Sequence, residues 1–391
     1  MKRIVTAVAI LGIVLGLWEA ASHAQDKPLK KVVFAVTTKD ISVGHSAHSS
    51  LPQALGYWKE EGLDVTVTSV EGSAAGMQQL AAGNLQIVSL GPEEIVIGRE
   101  KGIKIKGFYV QARETIYRLV VPSDSPLQKV ANLKGKTIGV PSLASGSVPF
   151  AKALVASAGL DPEKDIKILA VGVGAPGRLA LQQKTVDCLA LWDTLQASIE
   201  NSGMQVRRLD LPMVHEMLGQ TLATRDDELT ENPAMLVGFA RGIAKATVFG
   251  LANPEAAVRI HWKMYPETKP QTGDEAKALK DALNVFNSRF MLQRVDNRPD
   301  PRFGIGTLAQ WTTLQNIFKE QKLIEGAVPP GDLYSAALVD QINKFDRAAI
   351  AAQAKAYKPQ GSRDAASAAP RLGVENCKES QLNELLLQES P

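Results

Sequence analysis

The chain has 391 residues, 45% of them hydrophobic, and a formal net charge of +3. That length allows two domains with sizeable cores, and the hydrophobic fraction is ordinary for a globular protein. A near-neutral charge without a basic block argues against a nucleic-acid partner.

At the N-terminus, Lys2 and Arg3 precede an uncharged run over residues 4–17. As a helix that run spans ~21 Å, too short for a bilayer core of ~30 Å. Ser22 and Ala24 then stand at positions −3 and −1 of a cleavage site before Gln25. The pattern predicts a cleaved signal peptide over residues 1–24 and a mature chain exported to the periplasm. No cysteine stands at the cleavage point, so no stable membrane anchor is expected.

From Lys30 strands and helices alternate. "KVVFAVTT" reads as a strand, "LPQALGYWKEEGL" as a helix, and "DVTVTSV" as a strand. A helix is expected over 73–82, stopped at Gly83, then strand "LQIVSL", a helix from Gly91 and Pro92, and strand "IKIKGFYV". A second unit runs over about 121–211: strand "KTIGV", turn "PSLASGS", a helix, and then strands "IKILAV", "VDCLALW" and "VRRLDL" with helices between them. Strands separated by helices of this length predict parallel sheets with crossover helices. After "TLATRDDELTENP" helices follow one another, expected over 233–251, 254–264, 274–289, 307–321 and 335–350. From about Tyr357 the chain is polar and rich in Ala, Ser and Pro, the composition of a disordered tail.

Several motifs lead nowhere. "GKT" at Gly135 lacks the glycine a phosphate loop needs at Val130, and its strand follows the loop. Gly172, Gly174 and Gly177 spell a dinucleotide fingerprint in a unit that is too short, with Pro176 stiffening the turn. His45 and His48 lack the Cys or carboxylate partners that would complete a metal set. No G-x-S-x-G is present. Neither a cofactor nor a metal is expected, nor a poised nucleophile. Cys188, in "VDCLAL", reads as a small core hydrophobe. Cys377 sits in the polar tail, and nothing in the sequence decides whether the two are bridged.

"HSSLPQALGYWKEEGLDVTV", "EGSAAGMQQLAAGNLQIVSLGP", "NLKGKTIGV", "KALVASAGLDPEKDI" and "VDCLALWD" come in this order. Together they resemble the substrate-binding proteins of nitrate-, taurine- and alkanesulfonate-type ABC transporters. Proteins that bind the thiamine pyrimidine precursor share the pattern. The resemblance runs from about Lys30 to about Tyr334. It implies a two-lobed periplasmic-binding-protein fold of type II, each lobe a mostly parallel sheet flanked by helices, joined by a two-strand hinge. Lobe 1 would be discontinuous, 28–118 with 222–352. Lobe 2 would span 119–221, and 353–391 would be tail. The implied partners are a small-molecule ligand and an ABC transporter permease, with the receptor acting as a monomer and no enzyme. A periplasmic enzyme on the same scaffold, or a receptor reporting to a sensor, stays open as an alternative.

Ligands in open α/β sheets sit at the carboxyl ends of the strands. That topology nominates Thr38, His45 and His48 after the first strand, Ser73 and Ala74 at a helix start, and Gly91 and Pro92 after the third strand. In lobe 2 it nominates Ser145, Gly146 and Ser147, then Trp192 and Asp193. The backbone amides of 73–76 and 145–147 carry the partial positive charge of a helix start. The serines either cap their helices or bond a ligand. Trp192 either stacks on a ligand or packs on the lobe, and Asp193 either binds or caps the next helix. Arg118, near the crossing between lobes, either reaches a ligand carboxylate or pairs with an acid.

Overall fold

The computed structural model describes residues 28–358. The expected signal peptide, Cys377 and most of the expected tail lie outside that range. The described strands form two five-stranded sheets. In the first, β1 (Lys30–Val36), β2 (Leu63–Ser69), β3 (Ile87–Leu90) and β4 (Ile105–Val110) run parallel, and β10 (Thr221–Arg225) lies reversed between β3 and β4. In the second, β6 (Lys136–Val140), β7 (Ile166–Ala170), β8 (Cys188–Trp192) and β9 (Val206–Arg208) run one way, and β5 (Tyr117–Pro122) lies reversed between β8 and β9. Each sheet is therefore mostly parallel, as expected, with one reversed strand. Continuous apolar runs such as Val32, Phe34, Ala35 and Val36 suit β1, a strand covered on both faces.

The helices of eight residues or more are α1 (Ser73–Ala81), α2 (Pro92–Glu100), α3 (Ser147–Ser157), α4 (Ala175–Gln182), α5 (Asp193–Asn201), α6 (Pro233–Ala252), α7 (Pro254–Met264), α8 (Glu275–Gln293), α9 (Leu308–Glu320) and α10 (Arg347–Ala356). Helix α6 is the one described helix long and apolar enough to cross a membrane, and most of that stretch is buried in the protein. It covers the first sheet through Phe239, whose ring stacks on Trp58 at 5.1 Å and tilts against Phe34 at 4.9 Å. Gly242 lets Trp58 this close: a Cβ there would fall 2.4 Å from the indole.

Three local expectations change. The helix expected over 51–63 is broken into Ser50–Ala54 and Tyr57–Glu60, because Gly56 takes a φ of +77° that ends the first piece. The histidine loop before it is a buried 3-10 turn, Val43–His48. The helix expected over 335–350 is split into Val339–Ile342 and α10. Residues 353–356, assigned above to the tail, belong to α10: Ala354 is buried and its carbonyl accepts from Asn253 Nδ2 at 2.8 Å.

The chain passes between the sheets twice, over 111–116 and 209–220. The two passages pair with each other. The amide of Gln111 donates to the Gln220 carbonyl at 2.8 Å, and the amide of Gly219 donates to the Ala112 carbonyl at 2.9 Å. Gly219 is required there, since a Cβ would sit 2.1 Å from the Glu114 carbonyl oxygen. The sheets change hands one or two residues from the boundaries read above: Tyr117 and Arg118 already pair in the second sheet, and Thr221 in the first. Helix α8 also spans the lobes. It packs on α5 of the second and on the 3-10 turn of the first, and Asn201 Nδ2 donates to the Asp281 carbonyl at 2.8 Å.

Candidate functional site

The carboxyl ends of strands from both sheets face one cleft. Thr37 and Thr38 leave β1, Glu71 and Gly72 follow β2, Ser142 and Ser145 follow β6, Val173 follows β7, and Trp192 ends β8. Thr38 and Trp192 are walls of three cavities: an inner one of about 20 Å³ and two outer ones of about 320 Å³ and 340 Å³. Trp192, which is half-buried, lines both outer volumes.

The structure brings Thr38, His45, Ser73, Ser145, Gly146 and Trp192 together on these walls. Ala74 is close by, but its amide donates to the Ala144 carbonyl at 3.2 Å, across the cleft. Ser145 Oγ accepts from the Ser147 amide at 3.2 Å and lies 2.9 Å from Ser147 Oγ. So Ser145 Oγ satisfies the first amide of α3 as well as facing the cleft, while Ser147 is fully buried behind it. Gly91 and Pro92 border none of the three cavities; the Gly91 amide donates to Ser73 Oγ at 3.2 Å and so holds that hydroxyl in place. Arg118 also stands apart. Its Nη1 donates to the carbonyls of Thr115 at 2.5 Å and Tyr117 at 2.7 Å, and it forms no ion pair among the described residues.

Asp193 has a partner that the sequence did not reveal. Arg289, from the C-terminal third of α8, donates from Nε to Asp193 Oδ2 at 2.8 Å and from Nη2 to Oδ1 at 2.6 Å. Its Nη1 donates to Gln220 Oε1 at 2.5 Å. Both charged side chains are buried, and Arg289 reaches the wall of the inner cavity. This ion pair joins the second lobe, the passage between lobes, and a helix of the C-terminal region. A two-point arginine–carboxylate contact of this kind is among the stronger charge-assisted pairings.

Thr37, Tyr117 and Gln220 also line the inner cavity and were missed. Thr37 follows from the same strand-end argument as Thr38. Tyr117 had no such signal. Its hydroxyl sits between helix starts: a Cβ on Gly146 would lie 2.2 Å from it, and one on Gly91 would lie 2.8 Å from it. Both glycines are needed for this close approach.

Burial dominates the electrostatics. It drives His45 well below its ordinary range, helped by the nearby Arg289 charge, and His45 Nδ1 lies 3.2 Å from Ser42 Oγ. Burial and Arg289 also bring His48 down to about 3. His48 Nδ1 contacts Gln111 Nε2 at 2.9 Å, and the ring borders none of the three cavities. Both histidines are therefore neutral at ordinary pH. Glu93, in the first turn of α2, is fully buried with neither carboxyl oxygen hydrogen-bonded, and burial pushes it up to about 8. His45 thus adds no charge to the cavity wall, where Trp192 supplies an aromatic face.

A family model described as NMT1/THI5 like matches residues 48–257. The riboflavin-binding protein RibY of Chloroflexus aurantiacus is 21% identical over 283 residues, 70% of this chain and 77% of the relative. The formylaminopyrimidine-binding protein of Halalkalibacterium halodurans is 19% identical over 299 residues, 75% of this chain and 87% of the relative. Among solved structures, the alkanesulfonate-binding protein SsuA of Xanthomonas axonopodis pv. citri, bound to MOPS, has a TM-score of 0.58 at 17% identity. That match covers 79% of this chain and all of the other, and it shows the shared two-lobed fold. The matched stretch runs from the histidine turn to α7, taking in β5, β10 and every cleft wall of the second lobe, and on it the chain belongs to the NMT1/THI5-like family.

Proposed function

We propose that the protein is a periplasmic solute receptor that closes two lobes on one small molecule and passes it, unaltered, to an ABC-type permease. The observation that carries this reading is the placement of the cavities. They lie where strand ends of both sheets meet, with Thr38 from one lobe and Trp192 from the other on every wall. Relatives that bind riboflavin, formylaminopyrimidine or alkanesulfonates point to small solutes of this size. The chemistry of the site supports binding over reaction. Cys188 is fully buried in β8 with its thiol pushed up by burial, which disfavours the reactive thiolate.

A thermal-shift screen of the mature chain tests the proposal, using riboflavin, pyrimidines, aromatic amides and sulfonates. A solute at 100 times its Kd should stabilise the fold by about 2.7 kcal/mol. Mass spectrometry of the released solute should return it unchanged. A solute recovered chemically altered would mean an enzyme on this scaffold.

A further inference from the structure

The cavity walls hold two cationic side chains among the described residues, Lys39 and Arg289. Lys39 is exposed at the mouth, beside the exposed carboxylates Asp40 and Glu71. Arg289 is the buried one, and Asp193 takes its Nε and Nη2 while Gln220 takes its Nη1. Asp193 is further fixed at the first position of α5. Its amide donates to the Ile116 carbonyl at 2.9 Å, and its Oδ1 accepts from the Thr194 amide at 2.9 Å.

Two helix-start amides are spent in the same way. The Ala74 amide at the start of α1 is bonded to the Ala144 carbonyl, and the Ser147 amide at the start of α3 is bonded to Ser145 Oγ. An anion entering the inner cleft would find the buried cation on its wall, Arg289, already paired in charge, with the fixed carboxylate of Asp193 behind it. A neutral ring would find Trp192 to stack on and the hydroxyls of Thr38 and Ser142 to bond.

We propose that Asp193 sets the charge selectivity of the cleft: by occupying Arg289 it makes this a site for uncharged, ring-bearing polar solutes and turns away carboxylates and sulfonates. This rests on the receptor reading above and names its substrate class.

Matched probes decide it: benzamide against benzoate and benzenesulfonate, uracil against orotate, and riboflavin against flavin mononucleotide, with Kd read from calorimetry and intrinsic tryptophan fluorescence. The wild type should bind at least one neutral member, and should favour it at least 10-fold over its anionic partner. Asp193→Asn frees the guanidinium and should narrow or reverse that ratio by 10-fold or more. The double variant Asp193→Asn/Arg289→Gln removes both charges and should restore the neutral preference. If the single variant fails to fold, the wild-type ratios and the double variant decide. Tighter binding of any carboxylate, sulfonate or phosphate than of its neutral partner by the wild type overturns the proposal. So does silence of all the neutral rings, or an unchanged ratio in folded Asp193→Asn. A probe bound with the neutral preference but recovered altered overturns the receptor reading and leaves this one standing.

Discussion

The amide of Ala74 in one lobe donates to the carbonyl of Ala144 in the other, 3.2 Å away. A helix-start amide has no partner within its own helix, and here a carbonyl from across the cleft supplies one. The contact needs Gly72, which has a φ of +99° and would place a Cβ 2.3 Å from the Ala144 oxygen.

Gly72→Ala should therefore disfavour the closed arrangement. We expect ligand affinity to fall about 10-fold or more, with a loss of fold stability of about 1 kcal/mol from the backbone conformation. Small-angle scattering with saturating ligand should show a more open particle than wild type. A variant that closes as readily as wild type would show that the Gly72–Ala144 approach does not limit closure.

Trp192→Ala should weaken solute binding by about 1–3 kcal/mol, the value of burying an aromatic face. Isothermal titration with whichever solute the screen returns measures it, and melting of the empty variant separates the loss of packing. Undiminished binding would put the solute elsewhere than on the Trp192 walls.

Glu93 gives a pH prediction with a definite sign. Burial raises its carboxyl from 4.5 to about 8 in the folded protein. The folded state keeps a proton that the unfolded chain releases above its ordinary value. The contribution is therefore complete below pH 4.5 and is lost as pH rises through about 8. Glu93→Gln stays neutral throughout, so it should match wild type near the low end and exceed it by about 1–3 kcal/mol at the high end. His45 and His48 act in the opposite sense, losing stability as pH falls below 6.5, but equally in both proteins. Urea titrations at several pH values measure the difference, and parallel profiles would show that Glu93 ionises normally.

Truncation should discriminate at α10. Ending the chain after Lys358 should leave folding and binding intact. Ending it before Arg347 removes the Tyr57–Gln353 hydrogen bond of 2.8 Å and the buried Ala354, and should cost about 1–3 kcal/mol. Denaturation midpoints of the two fragments give the comparison.

The lobes were legible because alternation of strand and helix is a local signal, repeated along the chain. The cleft was legible for a related reason: once strands are placed, topology says which ends face a ligand, and Thr38, Ser73, Ser145 and Trp192 follow. What escaped was tertiary. Thr221–Arg225 is a short stretch leading into an acidic helix, and only its neighbours β3 and β4 make it a strand. Arg289 sits inside a helix, 96 positions from Asp193, with nothing nearby to mark it. Without Arg289 in view, Asp193 reads as a ligand group or a cap. With it, Asp193 is half of a buried pair.

The position of β10 governs the order in which the molecule can be assembled. It lies inside its sheet, between β3 and β4, although it is the last of the described strands to be made. A nascent chain that has completed β4 therefore has two strands with a vacancy between them, and both present unpaired backbone groups until Arg225 arrives. Helix α6, which covers the same sheet, comes later still. The first lobe thus cannot mature ahead of the second.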